Sequence, residues 1–150
     1  FCTRIGLPLD QLSLVMTATV LAGLTAQWTI GTLSDRLDRT VMLAVTAAAI
    51  AGFSLLVFLL GLTDFWIVIV EMGLLGVMMF AVYPLAVARA HDVFGGQDAV
   101  AVSAALLFAY SIGASLSPIL ASGVMTLLKT PFGLFAFWGI VNAALAGTTL

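Results

Sequence analysis

Glu71 is the residue in this sequence that most clearly could take part in chemistry, because it is an ionisable side chain inside a long apolar stretch. A carboxylate within the hydrocarbon of a membrane is costly and by default marks the path of an ion or a substrate. The alternative is a helix residue near the interface, since Glu71 follows Trp66 by only about one and a half turns. Tyr83 and Tyr110 could hydrogen-bond a substrate or simply bond neighbouring helices. We take Glu71, Tyr83 and Tyr110 as candidate residues of a substrate or ion cavity.

Residues for catalysis or metal binding are scarce. Cys2 is the only cysteine and His91 the only histidine, so metal ligands are too few for a recognisable site. The sequence contains no glycine-rich phosphate-binding motif. A serine-type intramembrane enzyme would need a histidine within the membrane, whereas His91 falls at a predicted helix end. We expect no cofactor and no enzymatic activity, and an intramembrane enzyme is the least favoured alternative.

The composition indicates what surrounds these residues. Hydrophobic residues make up 63% of the chain, charged residues make up 8%, and the mean hydropathy is +1.23. A soluble domain carries about a quarter charged residues and could not hide so much apolar surface. We therefore predict an all-α polytopic membrane protein with the lipid bilayer as its first partner. The formal net charge of −2 disfavours nucleic acid as a partner, because nucleic-acid binding needs a basic patch.

Apolar windows of about 19 residues predict about five transmembrane helices. Their approximate bounds are 11–33, 41–60, 65–90, 99–128 and 131–150. Pro84 and Pro118 fall inside the third and fourth helices, which we expect to be kinked there. The connections are short, no second domain is predicted, and we expect both chain ends to continue into a longer protein.

The loops between these helices set a predicted topology. With alternating crossings, loops 34–40 and 91–98 lie on the same side of the membrane. That side carries more basic residues than the other, and they are Arg36, Arg39 and Arg89. By the positive-inside rule these two loops are cytoplasmic.

The hairpin after the first predicted helix reads Gly-Thr-Leu-Ser-Asp-Arg-Leu-Asp-Arg-Thr, from Gly31 to Thr40. It resembles the signature loop of the major facilitator superfamily, Gly-x-Leu-Ala-Asp-Arg-x-Gly-Arg-Arg. The matching residues are Gly31, Leu33, Asp35, Arg36 and Arg39. Asp38 stands in place of the second glycine of the signature, and Thr40 in place of its last basic residue.

Two later segments are similar to the C-terminal half of YcaD-type transporters of that superfamily. They run from Val82 to Asp92 and from Ser103 to Pro118. The resemblance implies a twelve-helix fold in which this chain extends from the end of helix seven to helix twelve. The missing N-terminal half of the transporter is then a partner. Helices two to six are the alternative numbering.

The resemblance also implies a function. It implies secondary active transport of a small solute by alternating access, coupled to an ion such as the proton, in a bacterial inner membrane. Gly31, Asp35, Arg36 and Arg39 would form a conformational latch, with Asp35 facing the N-terminal end of a helix in the other half. A non-transporting membrane scaffold or a truncated transporter relic is the alternative.

Overall fold

The computed structural model describes residues 1–34, 37–94 and 99–149, and these residues form five α-helices. The helices are α1 (Leu9–Ser34), α2 (Arg39–Leu60), α3 (Phe65–Phe94), α4 (Ala99–Leu127) and α5 (Gly133–Thr149). Within the described ranges, α1 to α4 are long and apolar enough to cross a membrane. Helix α5 has 17 residues. That length corresponds to about 26 Å, slightly less than the roughly 30 Å of a hydrocarbon core. The predicted all-α polytopic membrane fold is confirmed.

Polar residues at the helix ends determine where α2 and α3 begin. Asp38 precedes α2, and its Oδ1 accepts hydrogen bonds from the amides of Thr40 and Val41 at 2.7 and 3.3 Å. Asp64 does the same for α3, with the amides of Trp66 and Ile67 at 3.0 and 3.4 Å. Such caps satisfy backbone donors that a helix leaves free in its first turn. The N-terminal ends of both helices are therefore determined by the local sequence.

Small residues allow α1 and α3 to pack closely. A Cβ atom added to Gly76 would lie 2.5 Å from the carbonyl oxygen of Thr19, and one added to Gly23 would lie 2.7 Å from the ring of Phe80. One added to Gly73 would only touch a methyl group of α1, at 3.9 Å. In lipid, where apolar helices gain little from mutual burial, contacts of this kind drive helix association. The α1–α3 contact is therefore a glycine-lined seam.

A core of larger side chains joins α2, α3 and α5. Ile50, Val57, Leu75 and Phe135 form one fully buried cluster. Leu43 of α2 packs with Ala81 and Leu85 of α3 in a second cluster nearer the other end of the two helices. Helix α3 therefore holds α1 on one side and α2 on another.

Helix α4 is the least buried of the five. Ala121 and Met125 are its buried residues, and both lie in its C-terminal third. It approaches α5 through Gly133, where an added Cβ would lie 2.8 Å from the Cα atom of Met125. The α-helices α3 and α4 continue through Pro84 and Pro118. The bends expected at these two prolines stay a prediction.

Candidate functional site

Arg39 joins the start of α2 to the end of α3. Its Nη1 donates to Oδ1 of Asp92 at 2.9 Å and to the carbonyl oxygen of Ala88 at 3.2 Å. Both acceptors lie in the last turns of α3, where the carbonyl groups carry partial negative charge. The side chains of Arg39 and Asp92 are 28% and 58% exposed. A pair this exposed contributes about 0–1 kcal/mol, so its role is to position the two helix ends.

Asp38 shares this charged end of the molecule. Hydrogen bonds from the amides of Thr40 and Val41 hold the pKa of Asp38 below its ordinary value, because they favour the ionised carboxylate, and Arg89 adds a smaller attraction. We did not assign Asp38 a role from the sequence. The signal was present, however, because an aspartate directly before an apolar helical run is typical of an N-cap. No pattern in the sequence indicates a role for Asp92, because its partner Arg39 lies 53 positions away along the chain.

The remaining predicted latch residues fall into two groups. Asp35 and Arg36 lie outside the described residues. Gly31 lies in the last turn of α1, and a Cβ atom added there would meet nothing within 4 Å in the described part of the chain. Together with Arg39 and Pro84, Gly31 lines a pocket of about 220 Å³. The latch role that the resemblance implies for Gly31 stays a prediction.

Tyr83 and Tyr110, two of the three predicted cavity residues, lie together. Their rings belong to α3 and α4, with centroids 4.9 Å apart and planes inclined at 54°. Both line a cavity of about 930 Å³ between α1, α3, α4 and α5. We call it the aromatic cavity, and its characteristic residues are Gln27, Phe80, Tyr83, Tyr110, Ser117 and Trp138.

The lining of the aromatic cavity carries no charged side chain among the described residues. Its polar groups are the amide of Gln27, the hydroxyls of Tyr83, Tyr110 and Ser117 and the indole N–H of Trp138, set between aromatic and aliphatic walls. A concave, mainly apolar site with a few polar groups is the usual form of a small-molecule site. This arrangement can hold an uncharged or amphipathic solute by stacking and a few hydrogen bonds.

Glu71 does not belong to the aromatic cavity. It lies 12 residues before Tyr83, which on a helix corresponds to a rotation of about 120° and a separation of about 18 Å along the axis. It lines a second pocket, of about 460 Å³, between α2 and α3. We call this the lateral pocket, and its characteristic residues are Phe53, Val57, Trp66, Val70, Glu71 and Leu74. The sequence grouped Glu71 with the two tyrosines because it does not reveal which neighbouring helices cover each face of α3.

His91 and Ser103 form a contact between α3 and α4 that the sequence did not predict. The ring nitrogen Nε2 of His91 lies 3.1 Å from the hydroxyl oxygen of Ser103. Ser103 belongs to a regular stretch of α4, where backbone amides are committed to the helix. Asp92, the acid next to His91, is bonded to Arg39. The contact therefore serves as a tie between two helix ends.

Comparison with known proteins agrees with this architecture. The model of the Major Facilitator Superfamily matches residues 3–150. An MFS-type transporter of Enterobacter sp. (strain 638) is 32% identical over 110 residues, which cover 73% of this chain and 28% of that protein. The MFS-type transporter YcaD of Escherichia fergusonii is 28% identical over 113 residues, covering 75% of this chain and 28% of the relative.

YcaD of Escherichia coli O17:K52:H18 is 28% identical over 118 residues, covering 79% of this chain and 30% of that protein. The matches thus span less than a third of the length of these relatives. No solved structure matches the chain significantly. The apolar helices and the bacterial relatives identify an integral membrane protein. Because the family model covers nearly the whole sequence, the chain belongs to the Major Facilitator Superfamily.

Proposed function

We propose that this chain is part of the C-terminal half of a secondary transporter that moves a small solute by alternating access, with ion coupling. Family membership supports transport at a general level. The single observation that carries the proposal is the aromatic cavity, where Tyr83 and Tyr110 face each other across α3 and α4. A scaffold protein would have no use for a cavity of about 930 Å³ with polar groups in its wall.

The polar residues of the helices support the same proposal by their division into two groups. Ser111 and Asn142 donate to carbonyl groups of their own helices, at 2.8 and 2.9 Å, and so have structural partners. Gln27 and the two tyrosines instead line the aromatic cavity. The cavity is formed by four helices, so a rotation of one against another would alter its shape. The other half of the transporter would supply the opposite wall.

The charged end around Arg39 fits the proposed latch. Arg39 is held by the end of α3, which would fix the direction in which the loop before α2 leaves the membrane. In this proposal Asp35 and Arg36 meet the other half from that loop, and Gly31 allows a helix of that half to approach α1. Asp35→Asn in the full-length protein should lower initial uptake rates without lowering expression. Unchanged uptake rates would contradict the proposed latch.

The test of the cavity uses the full-length protein in proteoliposomes. Solute-induced currents are recorded for a panel of aromatic and amphipathic compounds, in the presence of a proton gradient. Tyr110→Ala should abolish or strongly reduce the response, whereas Phe108→Ala should not, because Phe108 is 69% exposed and is not among the cavity residues. Equal responses from the two variants would contradict the proposed cavity.

Localisation can be tested separately. We propose a bacterial inner-membrane protein with loops 34–40 and 91–98 in the cytoplasm. In a Cys2→Ser background, Leu37→Cys and Thr63→Cys place single thiols in exposed loops at opposite ends of α2. An impermeant maleimide added to intact cells should label the Thr63 variant only. Labelling of only the Leu37 variant would reverse the orientation.

The contact between His91 and Ser103 raises the alternative of a serine enzyme, because such enzymes use a histidine beside the reactive serine. The geometry does not favour it, since the neighbouring Asp92 is bonded to Arg39 and not to the histidine. Labelling of the full-length protein with a fluorophosphonate probe tests it directly. We expect no labelling, and labelling that disappears in Ser103→Ala would establish a reactive serine.

A further inference from the structure

The lateral pocket holds an unusual group. Glu71 is only 7% exposed, and its Oε2 atom is buried without a hydrogen-bond partner in the described part of the chain. An unpaired carboxylate in an apolar environment costs several kcal/mol unless a donor or a positive charge accompanies it. The described structure contains no such group beside Oε2. A ligand that supplies both a donor and a positive charge would remove this cost.

The walls of the pocket indicate the rest of the ligand. Phe53 and Val57 line it from α2, and Trp66, Val70 and Leu74 line it from α3. These side chains are apolar, and two of them are aromatic. With a volume of about 460 Å³ the pocket lies within the range of small-molecule sites. A compound with an apolar or aromatic body fits these walls.

The charges around the pocket also favour a cation. Asp64 precedes α3 by one residue and lies seven residues, about two helical turns, before Glu71, at the end of the helix where the pocket begins. It therefore adds negative charge on the approach to Glu71. The described residues that line the pocket include no lysine, arginine or histidine. A positively charged ligand would thus be attracted by Asp64 and Glu71, and no described lysine, arginine or histidine of the pocket would repel it.

We propose that the lateral pocket is a binding site for an amphipathic organic ammonium ion, with its charged nitrogen at the Glu71 carboxylate and its apolar body between Phe53 and Trp66. The ammonium group donates a hydrogen bond to the carboxyl group where Glu71 lines the pocket, and its positive charge neutralises that of the carboxylate, including the buried Oε2. The aromatic rings add dispersion contacts with the body of the ligand. The site lies on a different face of α3 from the aromatic cavity and does not depend on the proposed transport function.

The experiment measures direct binding to the full-length protein in nanodiscs by calorimetry. The probe is 4-phenylbutylamine, and 4-phenylbutanol is its matched control, because it has the same body without the charge. We expect the amine to bind at least tenfold more tightly than the alcohol. Glu71→Gln should remove this difference by lowering the affinity for the amine at least tenfold. Ser54→Ala should not, since Ser54 is also buried and unpartnered but faces Gly139 of α5.

A second variant guards against loss of folding in Glu71→Gln. Val70 lines the pocket but is 59% exposed, so Val70→Trp fills the space without disturbing the core. This variant should also weaken binding of the amine. Equal affinity for amine and alcohol, or amine affinity unchanged in both variants, overturns the proposal. Loss of amine binding in Tyr110→Ala would likewise overturn it by moving the site to the aromatic cavity. If transport fails in every assay while these binding results hold, the proposed function falls and the ammonium site stands.

Discussion

Substitution of Gly76 by alanine tests the glycine-lined seam between α1 and α3. The new Cβ would lie 2.5 Å from the carbonyl oxygen of Thr19, whereas ordinary contact begins at 3.4 Å. The two helices must therefore separate by about 0.9 Å, the difference between these distances. The obstructing atom belongs to the backbone of α1, so no side-chain rotation can relieve the contact. A shift of the whole helix would also loosen the contact of Gly23 with Phe80.

The magnitude follows from two opposing effects. Overpacking of a tight contact costs about 1–3 kcal/mol, and replacing glycine by alanine within a helix returns about 1 kcal/mol. Because the strain falls on backbone, we expect the cost to lie near its upper end and the net loss to be roughly 1–2 kcal/mol. The entropy of unfolding grows with chain length, and a full-length protein of the size of its relatives has roughly 390 residues, since 110 residues are 28% of one of them. The loss should then lower the thermal midpoint in detergent by about 1–2 °C, measured by fluorescence-detected gel filtration after heating.

Gly73→Ala is the matched control on the same face of α3. Its Cβ would meet a methyl group of Ala22 at 3.9 Å, which is ordinary contact. We expect this variant to be as stable as the wild type or slightly more stable, because it gains helix propensity without strain. A thermal midpoint for Gly76→Ala equal to or above that of Gly73→Ala would refute the reasoning about the seam.

Three further predictions concern the helix ends. In a double-mutant cycle, Arg39→Gln and Asp92→Asn should show a coupling below about 1 kcal/mol, which becomes smaller at high salt; a larger, salt-independent coupling would contradict the exposed geometry. Asp38→Ala should lower the thermal midpoint at neutral pH. The pKa of Asp38 is depressed in the folded protein, so the stabilising effect of its charge is present above the ordinary pKa of about 4 and is lost as the pH falls through the lower folded value. The difference in thermal midpoint between the wild type and Asp38→Asn should therefore shrink with acidification. Gly133→Ala should lower the thermal midpoint more than Gly123→Ala, because only the first adds a Cβ within 3 Å of the backbone of α4; equal midpoints would contradict this packing.

Much of the fold could be predicted from the sequence because charge and hydropathy determine where a chain enters the membrane. The charged hairpin before Thr40 and the polar residues near Asp64 separate the apolar stretches, and the helices follow these divisions. Helix α3 nevertheless continues to Phe94, four residues beyond the expected bound, since a helix can extend into water once its apolar part has ended. Length and order of the helices are therefore encoded locally.

The faces of the helices could not be predicted in the same way. In a soluble helix the apolar stripe identifies the packed face, but these helices are apolar all round. Glu71 and Tyr83 share α3 and yet line different pockets. The partners of Arg39 were also hidden, because Asp92 lies 53 positions further along the chain. Gly73 and Gly76 face α1, which agrees with the general preference for small residues where helices pack in lipid.

The sparse burial of α4 has a consequence for biogenesis. Among the described residues α4 is buried only in its C-terminal third, so most of its apolar surface is left for lipid or for the rest of the transporter. Insertion and docking are separable steps for such a helix. Helix α4 would thus reach its final packing only when the other half of the transporter is in place. Until then its exposed small and hydroxyl residues, such as Gly113 and Ser115, would be available to membrane chaperones and to quality-control proteases.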